Sequence, residues 1–192
     1  MNAGPGTVIV TVPGLRGHVE DHWQTHLAAR LPNVRPVPPL GPDNPGLADR
    51  VAALQAIVAA AGTPVIIVAH SAGVLTTLHW ALRHTGPVRG ALLVTPPDLA
   101  APLPAGYPSL ALLEEHGWLP VPRRPLPFPS IVAASTNDPL GDPDRVRALA
   151  VAWGSRVREI GAVGHLNPAS GYGNWPQADL LIDEISAREL SR

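Results

Sequence analysis

The chain has 192 residues, a formal net charge of −1 at pH 7, and 45% hydrophobic against 15% charged residues, which fits one folded domain over 1–192 and excludes a disordered chain. Its basic side chains are all arginine, spread without a cluster that tracks a phosphate backbone, so no nucleic-acid partner is expected. With no cysteine, disulfides, thiolate nucleophiles and cysteine-ligated zinc are excluded, leaving oxygen nucleophiles and histidine or carboxylate chemistry.

Thr7–Val12 is a β-branched run closed by Pro13-Gly14 and reads as a strand buried on both faces. From Glu20 to Leu31 the period becomes helical, with Trp23, Leu27 and Leu31 on one face. A short strand near Val34–Val37 follows, then a proline-rich connection in which Asn44-Pro45 would start a helix running to about Ala61. Pro64–Ala69 is a second continuous apolar strand and runs directly into His70-Ser71-Ala72-Gly73 and a helix reaching about Thr85.

Val88–Thr95 is the next strand. The proline-rich stretch from Pro96 to Pro129 has too little period for a regular element and too many apolar residues for a free linker, so an irregular cap over 96–129 is expected. Ser130–Ser135 resumes the strand pattern, Asp142-Pro143 opens a helix ending near Trp153, Arg156–Ile160 is the last strand, and Gln177–Leu190 the last helix. Alternation of this kind predicts an α/β fold: a doubly wound, mostly parallel sheet of about six strands, helices on both faces, and ligands at the carboxyl ends of the strands. The apolar runs are far too short to span a bilayer and the start of the chain lacks the pattern of a signal peptide, so a cytoplasmic protein with no membrane partner is expected.

Ala69-His70-Ser71-Ala72-Gly73 lies where a buried strand meets a helix, the context a nucleophile elbow requires, with small residues two before and two after the serine. Serine in that place also serves as an ordinary helix N-cap. As a nucleophile it needs a base and an acid, and α/β-hydrolases deliver them in the chain order Ser, Asp, His. Asp138 follows the strand Ser130–Ser135 and His165 follows Arg156–Ile160, flanked by Gly161 and Gly164. Asp98, after the strand before, is the rival acid.

The two N–H groups of an oxyanion hole are assigned to Ala72, next to the serine, and to Leu15, after the first strand. Arg16 borders the same loop, where it meets either solvent or an acidic substrate group. His18, His22 and His26 recur every four residues as metal ligands on a helix do, but no carboxylate at a known spacing joins them, so no metal and no cofactor is expected. Trp23, Trp80, Trp153 and Trp175 read as core or cap residues.

Val12-Pro13-Gly14, His22-Trp23-Gln24, His70-Ser71-Ala72-Gly73, Ser135-Thr136-Asn137-Asp138-Pro139, Trp153-Gly154 and Gly164-His165-Leu166-Asn167 with Ser170-Gly171-Tyr172-Gly173-Asn174-Trp175-Pro176 together resemble the small serine-hydrolase family that includes retinoblastoma-binding protein nine and many bacterial relatives. The resemblance spans nearly the whole chain. It implies a compact α/β-hydrolase without a large lid domain, assigns nucleophile, acid and base to Ser71, Asp138 and His165, and implies hydrolysis of a small-molecule ester or amide through an acyl-serine. The binding activity in that family name does not carry over, because a retinoblastoma-type pocket ligand needs a cysteine. Acyl transfer or cyclisation through the same three residues, and a binding protein on the same scaffold, remain open alternatives.

Overall fold

The computed structural model describes residues 6–16, 19–40 and 46–187. Its strands are β1 (Val8–Val12), β2 (Val34–Pro36), β3 (Val65–His70), β4 (Val88–Val94), β5 (Ser130–Ala134) and β6 (Arg156–Glu159). Its helices are α1 (Trp23–Arg30), α2 (Leu47–Ala59), α3 (Ala72–Ala81), α4 (Leu110–Glu115), α5 (Pro143–Ala152) and α6 (Gln177–Ala187). The six strands form one sheet in the order β2-β1-β3-β4-β5-β6, every pairing parallel. Among the described residues no helix is long and apolar enough to cross a membrane.

Successive strand side chains point to opposite faces, and this sorts the apolar residues into two cores. Val10, Ile67, Leu93 and Val132 face Leu54 and Val58 of α2, Leu75 and Leu78 of α3, and Leu149 of α5. Ile9, Ile66, Leu92 and Ile131 face Trp23 and Leu27 of α1 with Ile182 and Ile185 of α6. A sheet covered on both sides needs strands that are apolar throughout, which is why β3 is buried at all six positions. Ile67 and Leu92 are fully buried, and each such burial is worth about 1.5–3 kcal/mol. Trp23, Trp80, Trp153 and Trp175 all belong to these cores.

Three elements differ from the sequence expectation. Helix α1 begins at Trp23 and not at Glu20, because the His22 side chain takes the N-cap position and accepts from the Gln24 N–H at 3.2 Å. Helix α3 ends at Ala81, short of Thr85; Gly86-Pro87 ahead of β4 cannot prolong it. The segment 96–129 is not wholly irregular: it carries α4, capped by the Ser109 hydroxyl accepting from the Leu112 N–H and docked through buried Leu113. The expected Asn44-Pro45 helix start, His18 and the end of the last helix lie outside the described residues.

In this strand order the chain steps from β2 over β1 to β3. The crevice at the carboxyl ends of β1 and β3 is therefore a topological switch point, the usual place for a ligand in an open parallel sheet.

Candidate active site

Ser71 leaves β3 and precedes α3 with φ 57° and ψ −128°, a conformation that L side chains adopt only under constraint. The constraint is close packing of the turn on the loop after β1. A Cβ on Gly73 would fall 2.2 Å from the Val12 carbonyl oxygen, and one on Gly14 would fall 3.2 Å from the Ser71 Cβ. Glycine is needed at 73 for approach of backbone to backbone, and that approach sets the serine at the head of the helix.

The Ser71 hydroxyl lies 2.8 Å from His165 Nε2, and both Asp138 carboxylate oxygens lie 2.9 Å from His165 Nδ1. All three side chains are buried. With Nδ1–H donated to the carboxylate, Nε2 carries the lone pair and accepts from the serine hydroxyl. This is the arrangement in which a histidine can take a serine proton while the carboxylate stabilises the resulting imidazolium.

The loops that meet here are tied to one another. Asp138 accepts from the Leu140 N–H at 2.9 Å, which fixes its carboxylate within the turn after β5. Asn137 beside it reaches across and accepts from the Gly164 N–H at 2.7 Å, joining the acid's loop to the histidine's loop. The Ser170 hydroxyl accepts from the His165 N–H at 3.1 Å and is held by Asn167. Gly164 passes so close to Ser170 that an added Cβ would lie 2.6 Å from its hydroxyl. The His165 carbonyl accepts from His70 Nε2 at 2.9 Å and from the Thr95 hydroxyl at 3.4 Å.

Asp98, the rival acid, is used elsewhere. Its carboxylate accepts from Arg145 Nε at 2.6 Å, from the Asp142 N–H at 3.1 Å and from the Ala100 N–H at 2.9 Å. It ties the chain after β4 to the start of α5.

Beside Ser71 opens a cavity of about 360 Å³. Leu75, Leu99, Leu103, Leu113, Trp118 and Leu140 make much of its wall, and four of these come from the segment 96–129, which therefore shapes the site as well as covering it. Leu15 and Ala72 border the same cavity, Ala72 as the first residue of α3, where backbone N–H groups have no partner within the helix. Arg16 sits at the rim with its guanidinium 5.6 Å from the Tyr107 ring centroid.

The early histidines have separate surroundings. His26 pairs with Asp21 at 2.9 Å on the surface, and His22 packs against His70 with ring centroids 4.6 Å apart. Among the described residues no group of three or more histidine, aspartate, glutamate or cysteine side chains converges as metal ligands do.

His70, Thr95, Asn167 and Ser170 hold the backbone around His165 with no role assigned from sequence. Ser170 and Asn167 stand inside the glycine-rich string around His165, so their place in the chain was the available signal.

The sequence profile of the family described as serine hydrolase matches residues 9–184. No curated protein matches this sequence. A solved structure from Pectobacterium atrosepticum, described as a YdeN-like hydrolase, is similar at 27% identity and a TM-score of 0.81, covering 94% of this chain and 91% of that one. The ydeN gene product of B. subtilis matches at 18% identity and a TM-score of 0.64, covering 94% and 98%. The RedJ thioesterase of Streptomyces coelicolor matches at 18% identity and a TM-score of 0.61, covering 97% and 92%. At such identities the last two speak for the fold alone.

Proposed function

Because the chain belongs to the serine hydrolase family, we propose that Ser71, His165 and Asp138 are its catalytic triad and that it cleaves small esters or amides with an apolar acyl group through an acyl-serine intermediate. The observation that carries this reading is the unbroken path from Asp138 through His165 to Ser71, with steps of 2.9 and 2.8 Å, ending at the wall of an apolar cavity.

In the first half-reaction His165 Nε2 takes the Ser71 proton as Oγ bonds to the substrate carbonyl carbon. The carbonyl oxygen becomes an oxyanion, and the N–H groups of Leu15 and Ala72 receive it. Collapse of the tetrahedral species breaks the bond to the leaving alcohol or amine, which takes the proton from His165. Water then loses a proton to His165 and attacks the acyl-serine, and the acid departs as the Ser71 hydroxyl is restored. Asp138 stays ionised throughout and holds the imidazole in the useful tautomer. The mostly aliphatic wall supports acyl groups that gain by leaving water, at about 0.8 kcal/mol per buried methylene.

The test is labelling with a fluorophosphonate together with turnover of short-chain p-nitrophenyl esters. Wild type is expected to be labelled at Ser71 and to turn over; Ser71→Ala is expected to do neither while remaining folded. Turnover retained in that variant overturns the assignment.

A further inference from the structure

We propose that Arg50 is a positioning residue for catalysis: from behind the loop after β1 it turns the Leu15 N–H towards the oxyanion. The inference rests on the serine-hydrolase mechanism above and adds to it a residue that does not touch substrate.

Arg50 lies on α2 and is only 6% exposed. Burial pushes its pKa down from the ordinary arginine value, so the charge is held in poorly solvated surroundings and needs acceptors. Acceptors on two consecutive residues meet it. Its guanidinium donates to the Leu15 carbonyl at 3.0 Å and to the Gly14 carbonyl at 3.4 Å. The Trp118 ring lies alongside, its centroid 6.0 Å from the guanidinium carbon, an arrangement that favours a cation.

The consequence follows from peptide geometry. In a trans peptide the C=O and N–H point in opposite directions. The Gly14 carbonyl and the Leu15 N–H belong to one peptide unit, so drawing that carbonyl towards Arg50 turns that N–H away from it. Gly14, Leu15 and Trp118 are part of the cavity wall and Arg50 is not, so an N–H turned away from Arg50 is free to face the cavity. Gly14 is also packed on the nucleophile, since a Cβ added to it would lie 3.4 Å from the Ser71 hydroxyl oxygen. The loop that carries the donor thus packs against the atom that bonds to the substrate carbonyl carbon.

Charge adds to orientation. A guanidinium behind the carbonyl polarises the peptide, leaving its N–H more positive where negative charge develops, and it does so before substrate arrives. The preceding part of the loop has its own anchor, for Gln24 Nε2 donates to the Val12 carbonyl at 3.2 Å and to the Val68 carbonyl at 2.9 Å. Arg50 acts further along, on the Gly14–Leu15 and Leu15–Arg16 peptides, the first of which carries the donor.

The experiment uses the full chain with Arg50→Met, Arg50→Gln and Arg50→Lys. It reads kcat and KM on a neutral p-nitrophenyl ester and inhibition by an alkyl boronic acid, whose tetrahedral serine adduct places an oxygen in the oxyanion position. Arg50→Met is expected to lower kcat by about 10²-fold with little change in KM, the scale of losing one oxyanion donor. Boronate affinity is expected to weaken in step with kcat, and Arg50→Lys to recover part of both. Circular dichroism establishes folding, and if the Met variant does not fold, Gln and Lys are read against wild type in the same way.

Turnover near wild type in a folded Met or Gln variant overturns the proposal. So does a fall in kcat with boronate affinity unchanged, since that places the damage away from the oxyanion. Failure of the mechanism itself shows differently: wild type would not turn over the ester, or Ser71→Ala would.

Discussion

His70 holds the backbone of His165: its Nε2–H donates to the His165 carbonyl at 2.9 Å, with ring centroids 4.9 Å apart. The residue just before the candidate nucleophile thereby fixes the chain that carries the candidate base. The Thr95 hydroxyl, at 3.4 Å, shares that carbonyl.

Replacing His70 by leucine is expected to loosen the placement of His165 without touching either reacting atom. Turnover of a neutral ester should fall by about tenfold, since misplacement of the base by a fraction of an ångström is costly, and KM should change little. His70→Asn, which keeps a donor, should lie between. A leucine variant with wild-type turnover would show that the Thr95 contact suffices.

Stability is expected to fall on acidification. Burial first, then the neighbouring His22 and His165, hold the His70 imidazole well below the ordinary histidine range; burial does the same for His79 to a smaller extent, with Arg83 nearby adding to it. Both groups resist protonation in the folded state but not in the unfolded chain, whose histidines titrate near 6.5. Above about pH 6.5 both states are neutral and nothing changes. As pH drops below that value the unfolded state binds protons that the folded state refuses, and stability falls by up to about 1.4 kcal/mol per unit for each group until its folded pKa is reached. Urea midpoints at about pH 7.5 and 5.5 measure the slope, and His70→Gln should reduce it. An unchanged slope in that variant would place the titration elsewhere.

The two aspartates are expected to separate cleanly into activity and stability. Asp138→Asn leaves the fold but favours the wrong His165 tautomer, lowering turnover by up to about 10⁴-fold. Asp98→Asn weakens the contact with Arg145, so it should lower stability by about 1–2 kcal/mol with turnover close to wild type. Turnover of one ester and thermal melts of both variants decide it. Loss of turnover in the Asp98 variant alone would reverse the assignment.

Ser71→Gly is expected to be inactive yet more stable than Ser71→Ala by about 1 kcal/mol. At φ 57° and ψ −128° the backbone is the mirror image of an ordinary extended conformation, which glycine adopts freely and alanine does not. Denaturant melts of the two variants measure the strain stored at the elbow. Equal stability would mean that the turn relaxes once the hydroxyl is gone.

Local pattern determined a great deal of this fold. The β-branched runs at 7–12 and 64–69, alternating with helical periods, dictate parallel strands covered on both faces, because side-chain period and apolar content are properties of neighbouring residues. The order of elements likewise places Ser71, Asp138 and His165 after β3, β5 and β6. Helix α4 escaped the sequence reading because six residues show less than two turns of periodicity. Distances between residues far apart in the chain were decided by the tertiary structure alone. Asp98 and Asp138 both follow strands, and the order of elements favours Asp138 without giving either side chain its partner; register and the packing of α5 send one to Arg145 and the other to His165. Asn137 meets Gly164, and Arg50 meets Leu15, across 27 and 35 residues. Such contacts depend on how the sheet twists and how α2 packs against it, and no local propensity encodes that.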